Sequence, residues 1–257
     1  MESVFIKAPL EKYFSLSQRC SFRSLVEHFG LGLQGLKMRS VVVEKVLEAT
    51  GQPPLEVHFK IYAYKKSLWH GLFRTPRARR EIKHLQFFDT CGIPVPCVVG
   101  WGQKRRAWVK LDYEFLITVT VPGAMTLREF VQQCTPDARL RNTLIWRLAE
   151  HLYTVHTHRF FHRDLKWRNL LVVPKSEGEA EIYWIDCPSG YWDWSGLRWR
   201  HGQIKDFATL DEVAKDLCSL KERLRFVQYY LGVPPGNRAI RKFAAAVDKY
   251  RRRRQDD

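Results

Sequence analysis

Hydrophobic and polar residues alternate along two stretches in the first half of the chain, which is the spacing typical of β-strands. These stretches cover residues 39–48 and 55–64, and the turn sequence ATGQPP separates them. In the second stretch Val57, Phe59 and Ile61 share one face, so that face is predicted to be buried. Together the two stretches predict a β-hairpin.

The next segment predicts a helix with a signal at each end. Thr75 can cap its N-terminus, Pro76 can be its first helical residue, and Gly92 lies past its end. Glu81 falls on the edge of the apolar stripe of this helix. Two further β-like stretches follow this helix.

After residue 121 the pattern becomes helical, with apolar residues three or four positions apart. Helices are predicted over residues 140–155, over residues 209–224, where T-L-D-E matches a capping box, and from about residue 237 onward. A short hairpin is predicted between residues 170 and 185. The fold class is therefore α+β, with a β-rich N-terminal lobe (1–121) and an α-rich C-terminal lobe (122–257) in one domain.

Composition narrows the choice of partner and compartment. The 257 residues are 45% hydrophobic, which excludes disorder of the whole chain, and carry a net charge of +16, which favours an anionic partner. Six scattered cysteines without a C-x-x-C pair argue against a zinc site or a disulfide framework. Without a signal-peptide pattern or a long apolar run, we expect a cytoplasmic protein that at most rests on a membrane surface.

The stretch HRDLKWRN carries the strongest chemical signal. Protein kinases and their relatives have H-R-D-L-x-x-x-N or close variants, in which Asp is the catalytic base and Asn holds magnesium. Here these residues are Asp164 and Asn169, and Lys166 fills the phosphate-facing position. His162 begins the stretch and is predicted to support the loop. The motif predicts phosphoryl transfer.

The short hairpin predicts a second metal ligand. If its two strands are symmetric about the turn, Leu170 lies opposite Ile185 and Asn169 lies opposite Asp186. An amide oxygen and a carboxylate at one point are hard ligands that suit Mg²⁺. The alternative for Asp186 is a turn cap at the end of a strand.

Two charged residues of the first half predict a phosphate-binding pair. Lys60 points from the polar face of its strand, and Glu81 on the next helix could hold it over nucleotide phosphates. The alternative is two ordinary surface charges. Lys65 and Lys66 are rivals of Lys60, although they lie where the strand ends.

Two weaker candidates complete the predicted site. Gly30, Gly32 and Gly35 spell G-x-G-x-x-G and form either a flap over phosphates or a simple turn. Asp216 lies at helical spacing between apolar residues and could accept backbone N–H groups of the catalytic loop, as an aspartate does in kinase-like folds; the alternative is a solvated charge. The arginines at 251–254 are predicted to form a frayed, solvated tail; the alternative is contact with anionic lipid or nucleic acid.

On these residues the chain resembles the lipopolysaccharide kinase family, the Kdo and heptose kinases of the kinase-like superfamily. The resemblance spans residues 55–224 and rests on Lys60, the R-A-R-R-E helix, the segment GIPVP, HRDLKWRN and the Ile185–Asp186 pair. Two departures from protein kinases are D-C-P in place of D-F-G and the lack of an A-P-E motif, which argue against a protein substrate.

The resemblance implies a bilobal kinase fold, the cofactors ATP and Mg²⁺, and transfer of the γ-phosphoryl group to a sugar hydroxyl of the lipopolysaccharide inner core. The implied partner is an anionic glycolipid or sugar acceptor at the cytoplasmic face of the inner membrane, with possible peripheral contact to that membrane, and no nucleic acid is expected. A kinase of another acceptor, protein or small molecule, and a pseudokinase-like scaffold are the alternatives.

Overall fold

The computed structural model describes residues 1–14, 21–32, 40–64, 75–106, 110–175 and 178–256. Gly35, Lys65 and Lys66 lie outside these ranges. The chain divides into two compact units. The first combines Met1–Lys83 with Pro96–Val121, and the second combines His84–Val95 with Pro122–Asp257.

The first unit is built on a five-stranded antiparallel sheet in the order β1-β4-β5-β3-β2. Its strands are β1 (Glu2–Ile6), β2 (Ser40–Leu47), β3 (Leu55–Ala63), β4 (Val98–Arg105) and β5 (Leu111–Val119). The predicted hairpin is confirmed as β2 and β3, which pair from Ser40–Tyr62 to Leu47–Leu55. Strand β1 has no counterpart in the sequence prediction.

One face of this sheet carries the core of the first unit. Val57, Phe59 and Ile61 of β3 are buried there, as predicted. Helix α1 (Ala8–Glu11) and helix α2 (Phe22–His28) flank this core, and α2 buries Phe22, Leu25 and Val26. The Phe29 ring, at the end of α2, stacks on the Phe59 ring with centroids 4.2 Å apart. Burial of these aromatic side chains is the main driving force for this packing.

Helix α3 (Arg77–Thr90) begins one residue later than predicted. The Pro76 carbonyl accepts the N–H of Arg80 at 3.0 Å, so Pro76 is the cap residue and not the first helical residue. At the other end Gly92 has φ +73°, and the N–H of Ile93 reaches back to the Phe88 carbonyl. This is a Schellman ending, which confirms that Gly92 ends the helix.

The second unit is mainly helical. Its helices after α3 are α4 (Leu127–Gln133), α5 (Ala138–Thr157), α6 (Trp199–Leu217), α7 (Leu220–Leu231) and α8 (Arg238–Asp256). Its small sheets use β6 (Met125–Thr126), β7 (Phe160–Phe161), β8 (Leu170–Pro174), β9 (Ala180–Trp184) and β10 (Tyr191–Trp192). The β-rich N-terminal and helical C-terminal parts confirm the α+β class.

The predicted helix over residues 209–224 is wrong in both its start and its continuity. Thr209 lies inside α6, where its hydroxyl donates to the Lys205 carbonyl at 2.9 Å and caps nothing. The chain leaves the helix at Cys218, and Ser219 forms the true capping box with Glu222 at the start of α7. The apolar residues keep their helical spacing across this break, so the sequence pattern did not reveal it.

The prediction of a frayed, solvated arginine tail is wrong in its fraying, although the arginines at 252–254 are exposed. Helix α8 continues through these arginines, and the Arg251 side chain is only 12% exposed. Its Nε lies 3.2 Å from an Asp211 carboxylate oxygen on α6, and Arg254 lies 3.1 Å from Glu212. These two ion pairs connect α8 to α6. Within the described residues, no helix has the length and apolarity needed to cross a membrane.

A histidine that is mostly but not fully buried makes the stability of the second unit depend on pH. The His151 ring on α5 lies 6.1 Å from the Trp184 ring, and its Nδ1 is buried without a hydrogen-bond partner in the described part of the chain. Burial, with a smaller contribution from Arg147, lowers the pKa of His151 to about 4. The unfolded chain therefore binds a proton between about pH 6.5 and pH 4 that the folded chain does not.

We predict that the free energy of unfolding is fully retained above about pH 6.5 and falls by about 2 kcal/mol by pH 5 through His151. Urea unfolding of the wild type and of His151→Leu at pH 8 and pH 5 measures this change. The His151→Leu variant should lose less stability than the wild type on acidification, whereas His158→Leu, at an exposed position, should match the wild type. Equal losses in all three proteins would contradict the assignment.

Candidate active site

In the first unit, Lys60 and Glu81 form a nearly buried ion pair. The Lys60 Nζ lies 3.1 Å from both carboxylate oxygens of Glu81, and the side chains are 13% and 5% exposed. The Tyr62 hydroxyl also donates a hydrogen bond to Glu81. A buried carboxylate needs such partners, because an unpaired charge away from water is costly. The pair thus fixes the ammonium group of Lys60 at one place on strand β3.

In the second unit, Asp206 of helix α6 binds the backbone of the loop that follows β7. Its carboxylate accepts the backbone N–H of His162 at 2.8 Å and that of Arg163 at 2.6 Å. Asp206 is completely buried. Arg163 has φ +68°, a left-handed conformation that is unfavourable for arginine, so the hydrogen bond to Asp206 stabilises a strained turn.

A buried polar network holds Asp206 in turn. The Nε2 of His156 lies 3.3 Å from its carboxylate, and the Nδ1 of His156 lies 2.7 Å from the Tyr230 hydroxyl. Gln203 donates to the same hydroxyl at 2.6 Å. Helices α5, α6 and α7 each contribute to this network, so the position of the loop depends on how the helices pack.

Helix α6 can approach the loop closely because residue 202 is glycine. A Cβ atom at Gly202 would lie 2.4 Å from the Phe161 ring, which is far inside van der Waals contact. Gly202 lies one helical turn before Asp206, so the two residues share one face of α6. The glycine lets the helix approach β7, and the aspartate then reaches the backbone that follows it.

The structure therefore corrects the role predicted for Asp216. Asp216 is exposed near the end of α6, whereas Asp206, ten residues earlier, binds the backbone of the predicted catalytic loop at His162 and Arg163. The prediction failed because the helix was taken to begin at residue 209, which left Asp206 outside it. The signal that could have identified Asp206 is its spacing of four residues from both Gly202 and Leu210 on a buried face.

Asp164 and Lys166 lie together on the exposed side of this loop. The Lys166 Nζ is 2.9 Å from a carboxylate oxygen of Asp164, and their side chains are 35% and 37% exposed. Both groups can therefore be reached by a molecule from solvent. Asp206 fixes the loop backbone just before Asp164, and this restricts the positions that the Asp164 carboxylate can take.

Asn169 is bonded to the same loop. Its amide nitrogen donates to the Asp164 carbonyl at 2.8 Å, which leaves the amide oxygen as the atom able to bind a cation. Asn169 ends a short 3₁₀ helix (Trp167–Asn169) and is 3% exposed. The Trp167 indole N–H donates to the Leu210 carbonyl at 2.9 Å, which ties this turn to α6.

The register predicted for the short hairpin is wrong by one residue. Leu170 lies opposite Trp184 and not Ile185, so Asn169 falls opposite Ile185, whose N–H donates to the Asn169 carbonyl at 3.0 Å. The reason is the period of two in a strand: this register places the buried residues of both strands on one face, including the fully buried Trp184. Asp186 is the next residue after this pair.

Asp186 lies in a turn with φ +54°, a conformation that aspartate tolerates better than most residues. The next residue anchors the turn: the Cys187 carbonyl lies 2.5 Å from the Nδ1 of His84, and its thiol donates a weak bond to the His162 carbonyl at 3.9 Å. The backbone on either side of Asp186 is therefore connected to Asn169 on one side and to the catalytic loop on the other.

His162 is a structural residue of the loop. It is completely buried, its ring stacks on the Phe88 ring with an interplanar angle of 1°, and its Nδ1 accepts the N–H of Asp164 at 3.3 Å. Burial lowers the pKa of His162, with nearby carboxylates opposing the shift. A neutral imidazole can accept this N–H, so His162 positions Asp164.

The structure describes two of the three glycines of the predicted flap. Gly30 has φ +72° and ends helix α2, where the N–H of Leu31 bonds back to the Val26 carbonyl. This helix ending explains Gly30 without a bound phosphate. Gly32 is exposed, and Gly35 lies outside the described residues, so the flap itself stays a prediction.

Two comparisons with known proteins gave matches. The model of the "Lipopolysaccharide kinase (Kdo/WaaP) family" matches residues 57–230. A solved structure described as "WaaP in complex with acyl carrier protein" is similar with a TM-score of 0.66 and 18% sequence identity, covering 99% of this chain and 98% of that chain. At that identity the likeness shows the fold. No protein with a curated description matches the sequence significantly.

The role of Asp206 gives a prediction with a matched control on the same helix. In Asp206→Asn the side-chain NH₂ would face a backbone N–H, which leaves a buried donor unsatisfied and should lower the free energy of unfolding by about 1–3 kcal/mol. Displacement of the loop should also reduce kcat about 10–100-fold. Asp216→Asn should change neither quantity.

Urea unfolding and steady-state kinase assays on both variants test this. A larger effect of Asp216→Asn than of Asp206→Asn would contradict the corrected assignment.

Proposed function

Because the chain belongs to the lipopolysaccharide kinase (Kdo/WaaP) family and is thus an ATP-dependent kinase, we propose that it phosphorylates a sugar hydroxyl, of Kdo or heptose, in the lipopolysaccharide inner core. The observation that carries the proposal is the single hydrogen-bonded assembly of Asp164, Lys166 and Asn169 in the loop held by Asp206. Its residue types are those that phosphoryl transfer requires.

Asp164 orients the acceptor hydroxyl and takes its proton. The hydroxyl oxygen forms a bond to the γ-phosphorus of ATP, the bond from that phosphorus to the bridging oxygen breaks, and ADP leaves with the electron pair. Lys166 lies 2.9 Å from Asp164, where its ammonium can offset negative charge on the transferred group. Both side chains are about one-third exposed, so a substrate can reach them from solvent.

The amide oxygen of Asn169 and the carboxylate of Asp186 would hold Mg²⁺. This donor set fits, because both are hard oxygen ligands and phosphate oxygens can complete the shell. The described residues contain no group of three His, Cys, Asp or Glu that could hold a metal ion without such added ligands. When bound, the ion neutralises phosphate charge. The hydrogen bond from the Ile185 N–H to the Asn169 carbonyl supports this assignment, because Asp186 directly follows Ile185 in the chain.

Lys60 would bind the α- and β-phosphates of the nucleotide. Its bonds to both oxygens of Glu81 restrict its side chain, so little further entropy is lost when a phosphate is bound. The +16 net charge supports an acceptor rich in phosphates and carboxylates, presented at the cytoplasmic face of the inner membrane, where the kinase would attach peripherally.

We predict that Asp164→Ala reduces phosphoryl transfer about 10²–10⁴-fold while ATP binding is retained, because the change removes a proton acceptor and no phosphate anchor. Asp186→Asn, which keeps a residue suited to positive φ, should instead weaken Mg²⁺-dependent ATP binding. The exposed Asp216→Ala is the control for both.

The measurement is transfer from labelled ATP to deacylated inner-core oligosaccharide, with calorimetric titration of ATP with and without Mg²⁺. Wild-type turnover by Asp164→Ala would contradict its role. A second outcome is that the protein binds ATP with Mg²⁺ and transfers phosphate to a protein or another small molecule but not to the oligosaccharide. This result would show that the acceptor is not the inner core. Absence of nucleotide binding would indicate a pseudokinase-like scaffold.

A further inference from the structure

A basic pocket lies on helix α6 beside the catalytic loop. It has a volume of about 360 Å³ and lies wholly within the second unit. Four of its six lining residues carry or can carry positive charge, and a tyrosine and a glycine complete it: Arg163, Tyr191, Arg198, His201, Gly202 and Lys205.

The side-chain cations of this pocket form no ion pair among the described residues. Carboxylates do lie nearby, because Asp206 binds the backbone N–H of Arg163 and Asp193 binds that of Arg198. Other arginines of the same unit are paired through their side chains: Arg141 with Glu222, Arg223 with Asp211, and Arg251 with Asp211 and Asp248. Arg163 instead lies over the Tyr191 ring, 5.5 Å from its centroid. Several positive groups around one concave surface attract an anion.

The effect of this crowding is visible at Lys205. Partial burial, followed by repulsion from Arg163 and Arg254, lowers the pKa of Lys205, although Asp206 and Asp164 act in the opposite direction. The Asp206 carboxylate is occupied by the backbone N–H groups of His162 and Arg163. The nearby carboxylates therefore offset only part of the positive charge of the pocket, and a bound anion would reduce the repulsion between its positive groups.

The location of the pocket indicates which molecule brings the anion. Arg163, which lines the pocket, directly precedes Asp164 in the chain, and Asp164 is close enough to act electrostatically on Lys205. The predicted metal ligands Asn169 and Asp186 do not line it. A molecule anchored here can present a hydroxyl to Asp164, which is the task of the acceptor and not of ATP.

We infer that this pocket binds an anionic group, phosphate or carboxylate, of the sugar acceptor and so selects acceptors that carry a negative charge near the reacting hydroxyl. The inference rests on the proposed function and adds the part of the acceptor that is recognised. Guanidinium and ammonium groups give charge-assisted hydrogen bonds to such oxygens, and the Tyr191 hydroxyl can add a donor.

The test uses Arg198→Ala and Lys205→Ala, with Arg200→Ala as the matched control. Arg200 is an exposed arginine of the same helix that does not line the pocket. With deacylated inner-core oligosaccharide, each pocket variant should raise the KM for the acceptor about tenfold or more and leave the KM for ATP unchanged. Arg200→Ala should match the wild type.

Two treated acceptors distinguish the source of the anion. If the pocket binds phosphate, phosphatase treatment of the oligosaccharide should raise the wild-type KM and abolish the difference between wild type and variants. If the pocket binds a carboxylate, reduction of the carboxyl groups of the oligosaccharide should raise the wild-type KM and abolish the difference between wild type and variants, and phosphatase treatment should not. An unchanged acceptor KM in both pocket variants would overturn the inference.

A binding measurement separates this inference from the proposed function. Inorganic phosphate, added without nucleotide or Mg²⁺, should raise the Tm of the wild type and of Arg200→Ala more than that of the pocket variants. This result would support an anion site even if the oligosaccharide were not phosphorylated. Equal Tm shifts in all proteins, or intact-mass detection of a phosphorylated residue of the chain with acceptor KM unaffected in the variants, would contradict it.

Discussion

The two hydrogen bonds from the backbone of the catalytic loop to the Asp206 carboxylate are the interaction on which the candidate site depends. They hold His162 and Arg163, the residues just before Asp164, and they stabilise the left-handed turn at Arg163. Asp164 then holds Asn169 through its carbonyl and Lys166 through its carboxylate. The buried carboxylate of Asp206 therefore sets the geometry of Asp164, Lys166 and Asn169, which are the groups proposed to meet the substrates.

The molecule places its charges in two ways. Where a charged group orders the fold, it is buried and satisfied, as Asp206 is by backbone N–H groups and Glu81 is by Lys60 and Tyr62. Where a charged group would meet a substrate, it is partly exposed, as Asp164 and Lys166 are, or forms no ion pair with the described carboxylates, as is the case for Lys205 in the basic pocket. The cost of leaving a buried ion unpaired explains the first arrangement, and attraction of an anionic substrate explains the second.

Local patterns predicted much of the fold because they reflect local physics. The alternation around Phe59, the ending at Gly92 and the apolar stripe of α5 all appear in the structure as the sequence indicates. The motif from His162 to Asn169 placed four site residues on one loop. Two of the failures involve contacts between residues distant in the chain: Asp206 reaches the loop where Gly202 lies close to Phe161, and the hairpin register follows from the burial of Trp184. The misplaced helix start at Thr209 was instead a false local signal, because the true capping box lies at Ser219.

A crystal structure of the protein with Mn²⁺ and a non-hydrolysable ATP analogue, in which anomalous scattering locates the metal, is the decisive measurement. If Asn169 and Asp186 hold the metal, an anomalous peak will lie about 2 Å from both the Asn169 amide oxygen and the Asp186 carboxylate, with phosphate oxygens completing the coordination. A peak bound to the analogue but contacting neither side chain would contradict this assignment.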